Sequence, residues 1–151
     1  EKVCPNFWPV LYIAQTCRLQ ICLLELTSNK NSNVFSLLFS VSYNDLKELV
    51  GKSPNLVLID VRSTGEVARG CIPGSINIPI EMIDSALSMM PQDFKASYGV
   101  NKPELNAPEL VFTCQSGGRA ARATTKARSL GYTNARTYPG GYGEWSYKDG
   151  M

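Results

Sequence analysis

The stretch LVFTCQSGGRAARATTKARSLG, residues 110–131, decides the fold. Its first residues, Leu110–Thr113, are a short and mostly apolar run of the kind found in strands buried on both faces of a sheet. A helix is predicted at Arg119–Leu130, where alanines recur at helical spacing, and Gly131 stands where such a helix would stop. The side of this helix that packs on the sheet is expected to contain Ala120, Ala123, Ala127 and Leu130. The sequence therefore predicts a strand, a loop and a helix in immediate succession.

The same alternation extends over the chain from residue 38 onward. Further strands are predicted at Leu56–Ile59, Ile76–Ile78 and Ala135–Tyr138. Further helices are predicted at Ser42–Gly51, Glu81–Met90, Pro91–Tyr98 and Gly143–Tyr147. The first helix has Ser42 as its N-cap, Asp45 in its first turn and Gly51 at its end. Strands that alternate with helices predict an α/β fold with a largely parallel sheet.

Composition narrows the class of protein. The chain has 151 residues, of which 44% are hydrophobic and 19% charged, as expected of a single globular domain. The net charge of +2 and the scattered basic residues argue against nucleic-acid binding. Histidine is absent, which excludes Ser-His-Asp triads, Cys-His proteases and His-ligated zinc sites unless a partner supplies the imidazole. A nucleophile in this chain must therefore be activated by its surroundings.

Cys114 stands in the loop between the predicted strand and helix, and we interpret it as the nucleophile. The thiolate is the reactive form of cysteine, and helix N-termini and nearby arginines favour it. Backbone N–H groups of such a loop can form a cradle for an anion, and its two glycines permit left-handed conformations. Arg119 adds a permanently charged fork that suits an oxyanion. The residues predicted to bind substrate are Gln115, Ser116, Gly117, Gly118 and Arg119.

The cysteines favour a reducing compartment. They are Cys4, Cys17, Cys22, Cys71 and Cys114, an odd number without a CxxC pair or a zinc spacing. A disulfide scaffold is not expected at this length and cysteine density. We interpret Cys71 as a structural thiol, with a resolving role for Cys114 as the alternative.

Asp60 and Arg62 follow the buried strand Leu56–Ile59, at the edge of the sheet where open α/β folds place ligands. Two roles are open for Asp60. It either supports the active site, by accepting hydrogen bonds from loop amides or by pairing with an arginine, or it simply stabilises the fold. Arg62 is expected to make a structural ion pair.

Four stretches, taken together and in this order, resemble the single-domain rhodanese family. They are Asp60-Val61-Arg62, Gly70–Pro79 (GCIPGSINIP), Cys114–Arg119 (CQSGGR) and Gly140–Trp145 (GGYGEW). The similarity extends from Ser40 to Tyr147 and is greatest to small thiosulfate sulfurtransferase-like proteins with a Cys-Gln-Ser-Gly loop. The resemblance implies a rhodanese-like three-layer sandwich, in which a mostly parallel central sheet is flanked by helices.

The resemblance also implies an activity. The enzyme would be a sulfurtransferase that moves sulfane sulfur from thiosulfate or a similar donor to glutathione, thioredoxin or cyanide. Cys114 would carry the sulfur as a persulfide, the amides from Gln115 to Arg119 would hold it, and Arg119 would help to bind the donor anion. No metal and no organic cofactor is implied.

Two other functions are alternatives to sulfur transfer. Cysteine-dependent phosphatases and arsenate reductases place the arginine six positions after the cysteine, whereas Arg119 is five positions after Cys114, the sulfurtransferase length. A rhodanese-like module that binds partners or senses sulfur without turnover is the second alternative, although such modules usually lack the cysteine. The neutral side chains between Cys114 and Arg119 leave the preferred donor open, because they attract thiosulfate less strongly.

The sequence also allows predictions about domain organisation, oligomeric state, compartment and partners. Residues 38–151 form the catalytic domain, and residues 1–37 carry no signal that assigns a role, since a linker and a targeting remnant both fit. The apolar stretch Phe7–Leu26 is interrupted by polar residues, so no membrane span is predicted. We expect a monomer in the cytoplasm, with the mitochondrion as the alternative, whose partners are small-molecule sulfur donors and thiol acceptors.

Overall fold

The structure, a computed structural model, describes residues 39–149 of the chain. Within this range four parallel strands form one sheet: β1 (Val57–Asp60), β2 (Ile76–Asn77), β3 (Leu110–Thr113) and β4 (Arg136–Thr137). Their spatial order is β2-β1-β3-β4, and β1 pairs with β3 so that Asp60 lies opposite Thr113. The carboxyl ends of β1 and β3 therefore lie side by side, which brings Asp60 near the loop that follows Thr113.

Six helices surround the sheet in the described part of the chain. They are α1 (Tyr43–Lys52), α2 (Thr64–Val67), α3 (Ile83–Ser88), α4 (Pro91–Tyr98), α5 (Gly118–Ser129) and α6 (Gly141–Asp149), with a 3₁₀ turn at Ile80–Met82.

The core is divided by the sheet. Ile59 and Phe112 pack with residues of α3, α4 and α5, whereas Leu58 and Val111 pack with residues of α1 and α6. Neighbouring residues of a strand point to opposite faces, so helices cover both faces of the sheet. The predicted α/β fold, a three-layer sandwich with a mostly parallel central sheet, is confirmed.

The first helix begins where the sequence predicts and ends later. The Ser42 hydroxyl accepts the Asp45 N–H at 3.3 Å, which confirms the N-cap. The helix continues through Gly51 to Lys52, and the Ser53 N–H closes it on the Leu49 carbonyl. The prediction that Gly51 ends the helix is wrong, because this glycine keeps a negative φ and does not turn the chain.

Three other helices have boundaries that differ from the predictions, and β1, β2 and β4 also differ from their predicted bounds by one residue at one or both ends. The segment expected to be one helix from Glu81 to Met90 begins as the 3₁₀ turn and ends at Ser88. Helix α5 ends at Ser129, and Leu130 is its C-cap. Leu130 is 40% exposed, so it does not pack on the sheet as predicted. The last helix is longer than expected at both ends and begins at Gly141, where its first N–H groups bond to carbonyls outside the helix.

Both edges of the sheet are short. β2 and β4 have two residues each. At the β4 edge the Val41 N–H donates to the Thr137 carbonyl at 2.9 Å, and the Thr137 N–H donates to the Phe39 carbonyl at 2.7 Å. The segment 39–41 therefore covers the outer side of β4.

No helix within residues 39–149 is long and apolar enough to cross a membrane. The division of the chain at residue 38 stays a prediction, because residues 1–37 lie outside the described range.

Candidate active site

Cys114 lies directly after β3 and is 1% exposed. Its Sγ accepts a hydrogen bond from the Gly117 N–H at 3.0 Å. Helix α5 begins at the next residue, Gly118, so the sulfur lies at the N-terminus of a twelve-residue helix. A backbone N–H and the positive end of a helix dipole stabilise negative charge on sulfur, whether on a thiolate or on a persulfide.

The two glycines of the loop have different conformations. Gly117 has φ +86°, and a Cβ at this position would come within 3.0 Å of the Pro139 backbone. Only glycine fits there, because a side chain would be strained by the backbone and would also collide with it. Gly118 has no positive φ and is the first residue of α5. The expectation of a left-handed conformation is therefore right for Gly117 and wrong for Gly118.

The N-terminus of α6 holds the loop from its other side. The Tyr142 N–H donates to the Cys114 carbonyl at 2.7 Å, and the Gly143 N–H donates to the Gln115 carbonyl at 3.1 Å. In a trans peptide the N–H points opposite to the preceding carbonyl, so the N–H groups of Gln115 and Ser116 point away from α6. Two donors of the loop are thus oriented by the last helix of the domain.

Gly141 permits this approach, and its replacement tests it. Gly141 has φ +60°, and a Cβ there would come within 3.0 Å of the carbonyl oxygens of Cys114 and Gln115. We expect Gly141→Ala to cost about 2–5 kcal/mol in unfolding free energy, from backbone strain and from overpacking, and to reduce the activity expected of Cys114. The control is Gly74→Ala, since Gly74 has φ +76° with nothing within 4 Å of its Cβ. Equal losses of stability and activity in the two variants would contradict the role of Gly141 in supporting the loop.

Asp60 and Arg62 form a buried ion pair beside the loop. Asp60 is 0% and Arg62 1% exposed, and the carboxylate accepts from Nε at 3.0 Å and from Nη2 at 2.7 Å. Nη2 also donates to the Gly70 carbonyl at 2.8 Å, and Nη1 lies 3.4 Å from Oε1 of Gln115. The guanidinium carbon is 4.3 Å from the centroid of the Tyr142 ring. Arg62 thus connects the end of β1 with the cysteine loop and with α6.

Arg119 is paired with an acid that sequence reasoning did not single out. Its Nη1 and Nη2 donate to the two carboxylate oxygens of Glu66 at 2.8 and 2.7 Å. Glu66 also completes a capping box with Ser63 at the start of α2. The spacing Ser63-x-x-Glu66 is the sequence signature of a capping box, so the helix start could have been predicted, but the pairing with Arg119 could not.

The pairing of Arg119 with Glu66 shifts the pKa values of both groups. The Arg119 guanidinium, together with the Ser63 N–H, holds the pKa of the Glu66 carboxyl well below its usual range. Because the folded pKa is lowered, the stabilisation by this pair is complete above the unfolded pKa, decreases as the pH falls below it, and is lost once the pH has fallen through the folded value. The bond to Glu66 raises the pKa of Arg119, although burial opposes the charge of the guanidinium.

Other residues near the loop were missed by sequence reasoning. The Asn77 side-chain amide donates to the carbonyls of Asp60 and Arg62 at 3.0 and 2.8 Å, which ties β2 to the end of β1. A Cβ on Gly70 would come within 3.0 Å of the Tyr142 hydroxyl. The asparagine inside the apolar run Ile76–Ile78 is a sequence signal that could have indicated the bonds of Asn77.

Cys71 is exposed, so the prediction of a structural thiol is wrong. The neighbouring Ile72 fills the core in its place, at 0% exposed. Among residues 39–149 no group of three or more histidine, cysteine, aspartate or glutamate side chains could hold a metal ion.

Comparison with known proteins identifies the family of the chain. The Rhodanese-like domain family matches residues 42–148 of the chain. A human protein named thiosulfate:glutathione sulfurtransferase is 49% identical over 110 residues, which are 73% of this chain and 95% of that protein. A Saccharomyces cerevisiae relative named a mitochondrial thiosulfate sulfurtransferase is 37% identical over 111 residues, 72% of this chain and 73% of its own length. The solved structure of a human single-domain sulfurtransferase has a TM-score of 0.70 and 49% identity, with coverage of 73% of this chain and 96% of that one.

Proposed function

The chain belongs to the rhodanese family, and we propose that it is a thiosulfate sulfurtransferase that works through a persulfide on Cys114. It moves sulfane sulfur from thiosulfate or a similar donor to a thiol such as glutathione. The observation that carries this proposal is the bond from the Gly117 N–H to Cys114 Sγ at the N-terminus of α5. The 49% identical human relative is named for the same donor and acceptor.

In the first step, the Cys114 thiolate attacks the outer sulfur of the donor. A bond forms between Sγ and that sulfur, the bond from the outer sulfur to the sulfonate sulfur breaks, and sulfite leaves with the electron pair. The total charge is unchanged, because the thiolate becomes a persulfide anion and the thiosulfate dianion becomes a sulfite dianion. The Gly117 N–H, with the N–H groups of Gln115 and Ser116, stabilises the anionic sulfur.

In the second step, the thiolate of the acceptor attacks the outer sulfur of the persulfide. The new bond joins the acceptor to the transferred sulfur, and the Cys114 thiolate leaves with the electron pair. The product is the persulfide of the acceptor, and the enzyme returns to its starting state. Arg62, Asp60 and Tyr142 keep Gln115 and the loop in place throughout, as positioning residues.

We also propose that thioredoxin can accept the sulfur, that the protein works as a monomer and that it resides in the cytoplasm. An exposed free cysteine, Cys71, fits a reducing compartment. The mitochondrial name of the yeast relative supports the alternative compartment. Fractionation of cells that express the full chain separates the two.

A panel assay tests the proposed activity. Thiosulfate and 3-mercaptopyruvate are offered as donors, each against cyanide, glutathione and thioredoxin as acceptors. We expect sulfite release and glutathione persulfide with thiosulfate, and a gain of one sulfur atom on the intact protein when no acceptor is added. Hydrolysis of an aryl phosphate without any gain of sulfur would instead support the phosphatase alternative, and a protein that binds thiosulfate without gaining sulfur would support a sensing module.

A further inference from the structure

The two arginines beside the cysteine loop are both neutralised by acids. Arg62 is paired with Asp60 in the core, and Arg119 is paired with Glu66 in a half-buried position. The four residues between Cys114 and Arg119 are uncharged. The attraction of the site for an anion therefore comes from backbone N–H groups and the dipole of α5, with no unpaired positive side chain within the loop.

We propose that Glu66 is a specificity-determining residue, which weakens the binding of doubly charged donors by holding Arg119 in a bidentate ion pair. This inference rests on the proposed function, and it names a property of the same site. Donors with less negative charge, such as organic persulfides and thiosulfonate monoanions, lose less binding affinity than the thiosulfate dianion does. The paired carboxylate also disfavours retention of sulfite, the dianion released in the first step.

The contacts of Glu66 separate its two roles. Oε2 accepts from the Ser63 N–H, the Ser63 hydroxyl and Arg119 Nη1, whereas Oε1 accepts from Arg119 Nη2. Glutamine serves as well as glutamate at the third position of a capping box. A Glu66→Gln substitution therefore keeps an acceptor for the cap of α2 while it removes the negative charge that neutralises Arg119.

Equilibrium binding tests the proposal without turnover. The measurement uses Cys114→Ser protein, which cannot take up sulfur, and records the Kd for thiosulfate by calorimetry. We expect Glu66→Gln in this background to bind thiosulfate about threefold to tenfold more tightly, with a steeper dependence on salt, because one screened negative charge near a dianion is removed. An unchanged or higher Kd overturns the proposal.

Glu48→Gln is the matched control. It also removes a carboxylate from an ion pair, that of Glu48 with Lys52 on the exposed side of α1, and it changes the net charge by the same amount. We expect its Kd for thiosulfate to equal that of the parent. A gain of affinity as large as in Glu66→Gln would show a general charge effect and would count against Glu66.

A double variant separates neutralisation from direct donor binding by Arg119. Arg119→Ala alone leaves Glu66 unpaired and is expected to weaken thiosulfate binding. Arg119→Ala with Glu66→Gln removes both charges, so its affinity should return to within about threefold of the parent. If the double variant binds as weakly as Arg119→Ala, Arg119 is a direct ligand of the donor in the parent protein and the proposal fails.

Kinetics of the active enzyme give the second readout. We expect Glu66→Gln to lower the KM for thiosulfate and to leave the KM for methanethiosulfonate, a monoanion, less affected, with little change in kcat. A loss of kcat with both donors, without any change in KM, would show a merely structural role. If the parent protein transfers no sulfur, the proposed function fails, and the calorimetric comparison still decides the role of Glu66.

Discussion

Sulfur transfer falls by at least about 1000-fold when Cys114 is replaced by serine, because the covalent intermediate can no longer form. The serine hydroxyl is of similar size and can accept the Gly117 N–H in place of Sγ, so we expect the fold to be retained. At neutral pH the hydroxyl is not ionised, and it cannot hold a sulfane sulfur. The measurement is sulfite release from thiosulfate, together with the mass of the protein after incubation with the donor.

Cys71→Ser is the matched control for this prediction. Cys71 is the other cysteine in residues 39–149, and it is exposed, whereas Cys114 is buried. Because it is exposed, Cys71 is the more accessible of the two thiols. If accessibility alone decided which thiol takes up sulfur, the sulfur would be found on Cys71. We expect Cys71→Ser protein to gain sulfur and to turn over like the parent. Sulfur uptake that survives Cys114→Ser and is lost with Cys71→Ser would refute the assignment of the nucleophile.

The second large effect is expected on stability, from Asp60→Asn. The substitution leaves the Arg62 guanidinium buried without a counter-charge, and loss of one partner of a buried pair typically costs about 3–5 kcal/mol. Chemical denaturation measures this loss as a lower midpoint. Activity should fall as well, since Arg62 then has no fixed position from which to hold Gln115 and the Gly70 carbonyl.

Two further variants serve as controls for this prediction. Asp149→Asn removes the acid of the ion pair with Lys47, whose side chain is 55% exposed. This substitution should change the denaturation midpoint far less. Asp60→Asn combined with Arg62→Met removes the buried charge altogether, so stability should recover in part while activity stays low. The burial argument would be wrong if Asp60→Asn cost no more than Asp149→Asn.

The parts of the site that sequence reasoning found are those encoded locally. Cys114 and the loop to Arg119 lie within one strand–loop–helix unit, so the spacing of residues along the chain fixes their spacing in the structure. The alternation of short apolar runs with helical patterns is enough to predict the parallel sheet, because each run is too short for a helix and is bounded by turn residues. Asp60 and Arg62 were placed near the site by the rule that ligands meet the carboxyl ends of parallel strands.

The parts that were missed depend on contacts between distant segments. Glu66 and Arg119 are 53 positions apart, and nothing in either local pattern indicates the other. The support of the loop by α6 depends on backbone N–H groups, which every residue except proline possesses, so the identity of the donor residues does not reveal it. The starting point of α6 at Gly141 was missed for the same reason, since its first N–H groups bond outside the helix.

The short edges of the sheet have a consequence for behaviour at high concentration. An exposed strand edge is a template on which another molecule can add a strand, and such addition leads to aggregation. Here β2 offers two residues, and the outer side of β4 is occupied by the bonds of Thr137 to the segment 39–41. β1 and β3, with four residues each, are both interior to the sheet. Intermolecular strand addition is therefore disfavoured while this domain stays folded, and we expect it mainly after unfolding.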